Sequence, residues 1–168
     1  MLTLADGRTK LAVLTVEPDN ASGVDLAELA AGIDAGQHVN KPDFKMSPTS
    51  SDTVTDQPLA QAGNAKTFGN SNWEGQMTIL RDLTADGTTQ AEVELLWAAE
   101  KTKGSRVWLI RREGPLEAVD WADGDEYDWA EVITDEPQAP QERAGYVKRI
   151  VPLGGQAWGT GTVVTVAS

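Results

Sequence analysis

His38 is the only histidine, so a Ser-His-Asp relay in this chain would have to run through it. It lies between Gly36 and Asn40 with no nucleophile motif beside it, which reads as a structural or surface residue. The run Asp120-Trp121-Ala122-Asp123-Gly124-Asp125-Glu126-Tyr127-Asp128 has the acidic density of a calcium loop. The order fails. Counted from Asp120, the third position is Ala122, where a ligand is required. A solvated acidic loop fits the spacing better, and a metal-assisted hydrolase built on these carboxylates is the enzymatic alternative. Arg111-Arg112 and Lys148-Arg149 are isolated basic pairs, suited to bridging acidic neighbours. Gly154-Gly155 and Gly159-x-Gly161 do not lie between a strand and a helix, so they are not phosphate loops. A bend or bulge within a strand explains them. Six of the aromatics are Trp. Trp73, Trp97 and Trp108 read as core. Trp121 and Trp129 sit among acids and read as partly exposed, either as interface anchors or as a carbohydrate platform. No catalytic set, metal-ligand set or cofactor is implied, and the chain reads as non-enzymatic.

The bulk properties narrow the class. A chain of 168 residues is long enough for one domain and buries roughly 70% of its unfolded surface. With no cysteine, disulfides and Cys-ligated zinc are excluded. No basic region followed by a long apolar run marks a signal peptide, and no window approaches the apolar length that spans a membrane. The net charge is −12. The segment 113–142 carries Glu113, Glu117, Asp120, Asp123, Asp125, Glu126, Asp128, Glu131, Asp135, Glu136 and Glu142 and no Lys or Arg. The rest of the chain is nearly neutral. Such a surface repels phosphate backbones, which argues against DNA or RNA binding.

These residues must be positioned by strands. From Asn72 to Arg81, Trp73, Met77 and Ile79 alternate with Glu74, Gln76 and Thr78, the period of a half-buried strand. Asp86-Gly87 marks a turn. Thr89-Gln90-Ala91-Glu92 is a capping-box pattern, and Val93, Leu96 and Trp97 follow at helical spacing. Gly104 suits a left-handed C-cap. Arg106–Arg112 is apolar on both faces (Val107 and Leu109, then Trp108 and Ile110), which places it mid-sheet with a layer on each side. Lys10–Val16 reads as a buried strand, and Asp25-Leu26-Ala27-Glu28 opens one or two turns of helix. Residues 126–134, 145–151 and 157–166 read as three further strands. Residues 41–71 are rich in Pro, Gly, Ser and Thr and sparse in apolar residues, either an arm that orders against a neighbour or a mobile surface loop. The absence of βαβ repeats predicts a mostly antiparallel sheet. Trp158-Gly159-Thr160-Gly161-Thr162-Val163-Val164-Thr165-Val166 looks like the last strand of an antibody variable domain, yet the Cys…Trp…Cys spacing is missing.

Several strings resemble the major tail proteins (tail tube proteins) of long-tailed, siphovirus-type phages, especially those of actinobacteria. They are Asp52-Thr53-Val54-Thr55-Asp56 with Gly63-Asn64-Ala65, then Ser71-Asn72-Trp73-Glu74-Gly75, Leu96-Trp97, Gly104 and Trp108–Arg112. The likeness covers about Leu26–Arg112; beyond that it rests on strand pattern. It implies a mainly β fold, an antiparallel β-sandwich or barrel-like tail-tube fold with one flanking α-helix at about 89–103. Residues 1–168 then form a single domain with a long arm at about 41–71. The resemblance implies a structural subunit that assembles into stacked hexameric rings, the conduit of DNA ejection. Its partners are then itself, the tape measure, tail terminator and distal tail proteins. DNA passes without specific binding and no membrane is involved. The location implied is the virion tail, after assembly in the host cytoplasm. On this reading the arm makes inter-subunit contacts through Phe44, Met46, Thr53, Val54, Leu59 and Phe68. The acidic segment lines the lumen through Asp120, Asp123, Asp125, Glu126, Asp128 and Glu131, where charge within about one Debye length (~10 Å at 0.1 M salt) keeps phosphates off the wall. The alternative is a monomeric immunoglobulin-like binding or decoration module anchored by Trp121 and Trp129.

Overall fold

A computed structural model describes residues 4–54, 59–60, 67–90 and 94–165. The strands are β1 (Thr9–Leu14), β2 (Ile33–Asp34), β3 (Lys45–Thr49), β4 (Thr53–Val54), β5 (Thr67–Phe68), β6 (Asn72–Leu80), β7 (Arg106–Glu113), β8 (Glu126–Thr134) and β9 (Lys148–Thr162). Seven of them form one antiparallel sheet in the order β2-β1-β7-β8-β9-β6-β3, and β4 pairs with β5 alone. The fold is mainly β and antiparallel, as the absence of βαβ repeats predicts. β7 lies inside the sheet between β1 and β8. Its two apolar faces serve two cores: Val107 and Leu109 enter one cluster, Trp108 and Ile110 the other.

The sheet closes on itself. β2 pairs with β1, and Ala35 donates its N–H to Leu11 O. The chain then crosses to β6, where Asn40 donates to Thr78 O and Leu80 donates to His38 O. β3 continues the same path along the first half of β6. Residues 33–49 therefore seam β1 to β6, and the larger cluster is the interior of a barrel. It holds Leu11, Val13, Met46, Met77, Ile79, Val107, Leu109, Ala130, Val132, Val151 and Leu153. The outer face of β1, β7 and β8 carries the second cluster, covered by α1 (Leu26–Ala31), Val24 and Val163. Asp25 caps α1 by a full capping box with Glu28, as the spacing predicts.

Three elements differ from the expected bounds. The helix expected at about 89–103 is α2, Leu95–Glu100. The backbone of Thr89 bridges to Leu83 and its hydroxyl accepts from Arg81, while the expected cap partner Glu92, with Val93, lies outside the described residues. Gly104 does take a left-handed φ of 86°, but it sits in the turn into β7 and donates to Thr134 O. The two strands expected at 145–151 and 157–166 are one 15-residue strand, β9, with a bulge opposite Glu131/Val132; Val166 lies outside the described residues. Glycine spares room for rings there: a Cβ on Gly155 would stand 2.5 Å from the Trp73 ring, and one on Gly161 2.5 Å from that of Tyr127. Finally, residues 41–49 are not loop. They form a 3-10 turn, Lys41–Asp43, and then β3.

Candidate assembly surfaces

The expected arm residues divide. Met46 is buried in the barrel interior and Phe44 packs half-buried against it, so both hold the barrel together. Thr53, Val54, Leu59 and Phe68 stand outside the core and are exposed, Phe68 by 74%. The arm of this fold therefore begins where β3 and β6 end, at the pair Thr49↔Asn72. Its base is tied down. Asn72 Nδ2 donates to Ser50 O and to Asp52 Oδ1, both at 3.0 Å, and Gly69 donates to Asp52 O at 2.7 Å. Above that base β4 and β5 make a short hairpin, Thr53↔Phe68 and Val54↔Thr67.

The acidic segment is not one face. Asp128 follows Ala130 and Val132 on the barrel side of β8, whereas Glu131 follows Trp129 and Tyr127 on the other. Much of its charge is met by β7. Arg111 Nη2 donates to Asp128 Oδ2 at 2.6 Å, Arg106 pairs with Glu131 at 2.9 Å, and Arg112 Nη1 donates to Asp125 Oδ2 at 2.6 Å. Arg112 is 1% exposed and also donates to the carbonyls of Asp120, Val119 and Leu116. Its guanidinium lies 5.0 Å from the Trp121 ring centroid. The acidic loop is thus folded around one buried cation, and Asp125 is that cation's partner. With Glu113–Arg111 and Lys103–Asp135, five of the eleven acids are paired. Asp120, Asp123 and Glu126 remain exposed. Trp121 and Trp129 are half-buried against the outer cluster and so partly exposed, as the sequence suggests. Arg111 and Arg112 bridge to acids as the sequence suggests. Lys148 and Arg149 do not do so among the described residues; Arg149 bonds the Lys148 carbonyl.

The two ends of the barrel differ. At one end α2 sets Leu96 into the interior. Glu94, just before it, accepts from Arg81 Nη2 at 2.9 Å and from the Asp82 amide at 3.1 Å, and Arg81 stacks 4.3 Å from the Trp97 centroid. The Arg81 hydrogen bond holds the Glu94 carboxyl below its ordinary range against the opposing effect of burial. Glu100 closes the helix fully buried, with neither carboxylate oxygen bonded among the described residues, and burial pushes its pKa up to about 8. Sequence reasoning missed this acid, although its place four residues after Leu96, on the apolar face of the helix, signals burial. The other end opens into a cleft of about 590 Å³ lined by Thr9, Leu11, Val39, Phe44, Arg111 and Glu113. No described helix is long and apolar enough to cross a membrane.

A family model described as phage tail tube protein matches residues 1–168. No curated protein and no solved structure matches the chain.

Proposed function

The chain belongs to the phage tail tube protein family, and on that premise we propose that residues 1–168 act as one tube-building domain, assembling into hexameric rings that stack into the conduit for DNA ejection. Membership makes it a structural, non-enzymatic protein of the virion tail. The finer reading is a siphovirus-type phage of actinobacteria, with assembly in the host cytoplasm beside the tape measure, tail terminator and distal tail proteins. The observation that carries the tube-building role is the family match over residues 1–168. The exposed hairpin above Asn72 supports an arm between subunits. For the lumen, the exposed acids Asp120, Asp123 and Glu126 are the lining, while Asp125, Asp128 and Glu131 contribute less because arginines neutralise them. DNA then slides past without a specific contact. The test is genetic. Interrupting the gene should yield DNA-filled heads without tails, and restoring it with Asp120→Asn, Asp123→Asn and Glu126→Gln together should restore tails that eject DNA more slowly. Normal tails without the protein would refute the tube role; unchanged ejection would refute the lumen assignment.

A further inference from the structure

A sheet that closes on itself leaves few strand edges, and exposed edges are usually blocked by charge, proline or brevity. β3 carries Lys45 and Pro48, and β2 is two residues long. The second half of β9 is different. β6 accompanies β9 only from Lys148 to Leu153. Beyond that, β9 pairs with β8 alone. Thr162 donates its N–H to Ser22 O, away from β8, while Val163 donates to Asp125 O. Alternation along an antiparallel ladder then sends the N–H and C=O of Thr160 and Trp158 away from β8 as well. Among the described residues, no strand pairs with that side of 156–160. Gln156-Ala157-Trp158-Gly159-Thr160 has no charge and no proline. Beside it the rings of Trp73 and Trp158 stack with centroids 6.2 Å apart.

The same chain exposes a piece that fits. The strands Thr53-Val54 and Thr67-Phe68 are uncharged, rich in residues that favour strands, and exposed at every position. We propose that the edge 156–160 of β9 is a strand-addition site for the β4–β5 hairpin of a second copy of this chain, which brings the exposed Phe68 against the Trp73–Trp158 pair. The inference rests on the tube-building reading, since it requires association of like chains.

Two edge variants test it. Thr160→Pro removes one N–H directed off β8, so the ladder within the chain loses no bond. Thr160→Lys leaves the backbone intact and places a charge on the edge. A third variant, Val54→Ser with Phe68→Ser, strips the hairpin. Each is compared with the wild type by light scattering over a concentration series, by negative-stain microscopy, and by thermal melting. The expected result is a wild type that forms rings or tubes and three variants that fold but lose assembly. If Thr160→Pro fails to fold, Thr160→Lys decides. Folded edge variants that assemble like the wild type overturn this inference and leave the tube reading standing. Loss in the edge variants beside full assembly of the hairpin variant overturns the hairpin as occupant. A wild type that stays monomeric at every concentration and fails to add to purified tail tips overturns the tube reading, and this inference with it.

Discussion

Glu100 is the side chain most at odds with its surroundings. It is fully buried, its oxygens have no hydrogen-bond partner among the described residues, and its pKa rises from 4.5 to about 8. Folding therefore takes up a proton at this site between those values. Stability is greatest while the carboxyl is protonated in both states, below about pH 4.5, and falls as pH rises toward 8, by about 1.4 kcal/mol per pH unit for one proton. Glu100→Gln keeps the size and removes the titration. The variant should melt higher than the wild type at pH 8, and its melting temperature should lose most of the slope between pH 5 and 8; an unchanged slope would contradict this. Glu94 behaves in the opposite sense, since Arg81 holds it below its ordinary range, and its contribution is lost as pH falls through that lowered value. Much at this scale is not legible in the sequence. The density of acids at 120–128 was plain in the sequence, but Arg112 as the buried cation inside it was not. That pairing joins β7 to the loop before β8 through a contact that no local spacing encodes.

At the scale of elements, alternation marked β6, β7 and β8 correctly because a strand's two faces repeat every second residue whatever its partners. It failed where partners decide. The helix expected at about 89–103 is only Leu95–Glu100, while Thr89 bridges through its backbone to Leu83. Two strands are expected at 145–151 and 157–166, yet β9 runs through both; Gly154-Gly155 lies beside the bulge within it, as expected, with the Trp73 ring over Gly155. The arm also changes size. Removing all of 41–71 would take out Met46 and β3 and open the barrel seam. Excision of 51–70 joins Ser50 to Ser71 beyond the pair Thr49↔Asn72 and spares the core. The excised protein should fold, with a melting temperature close to that of the full chain, and remain a monomer. Tubes of normal length from this variant would remove the arm from the account.

For the whole molecule, the eleven acids of segment 113–142 overstate its local acidity, since the arginines of β7 and Lys103 meet five of them, while the net charge stays at −12. What remains is a closed β barrel whose exposed acids and exposed hairpin lie on different parts of the chain, an arrangement that suits a ring with one surface for neighbours and another for cargo. The acidic imbalance and the antiparallel class were legible in composition and period. The closure of the sheet was not, because it depends on residues 33–49 crossing from β1 to β6. The most direct test is the assembly state of the purified protein, by light scattering over a concentration series with negative-stain microscopy of the same samples. Rings or hollow tubes that grow with concentration are expected of a tube-building subunit. A particle that stays monomeric throughout, and fails to add to purified tail tips, would contradict it.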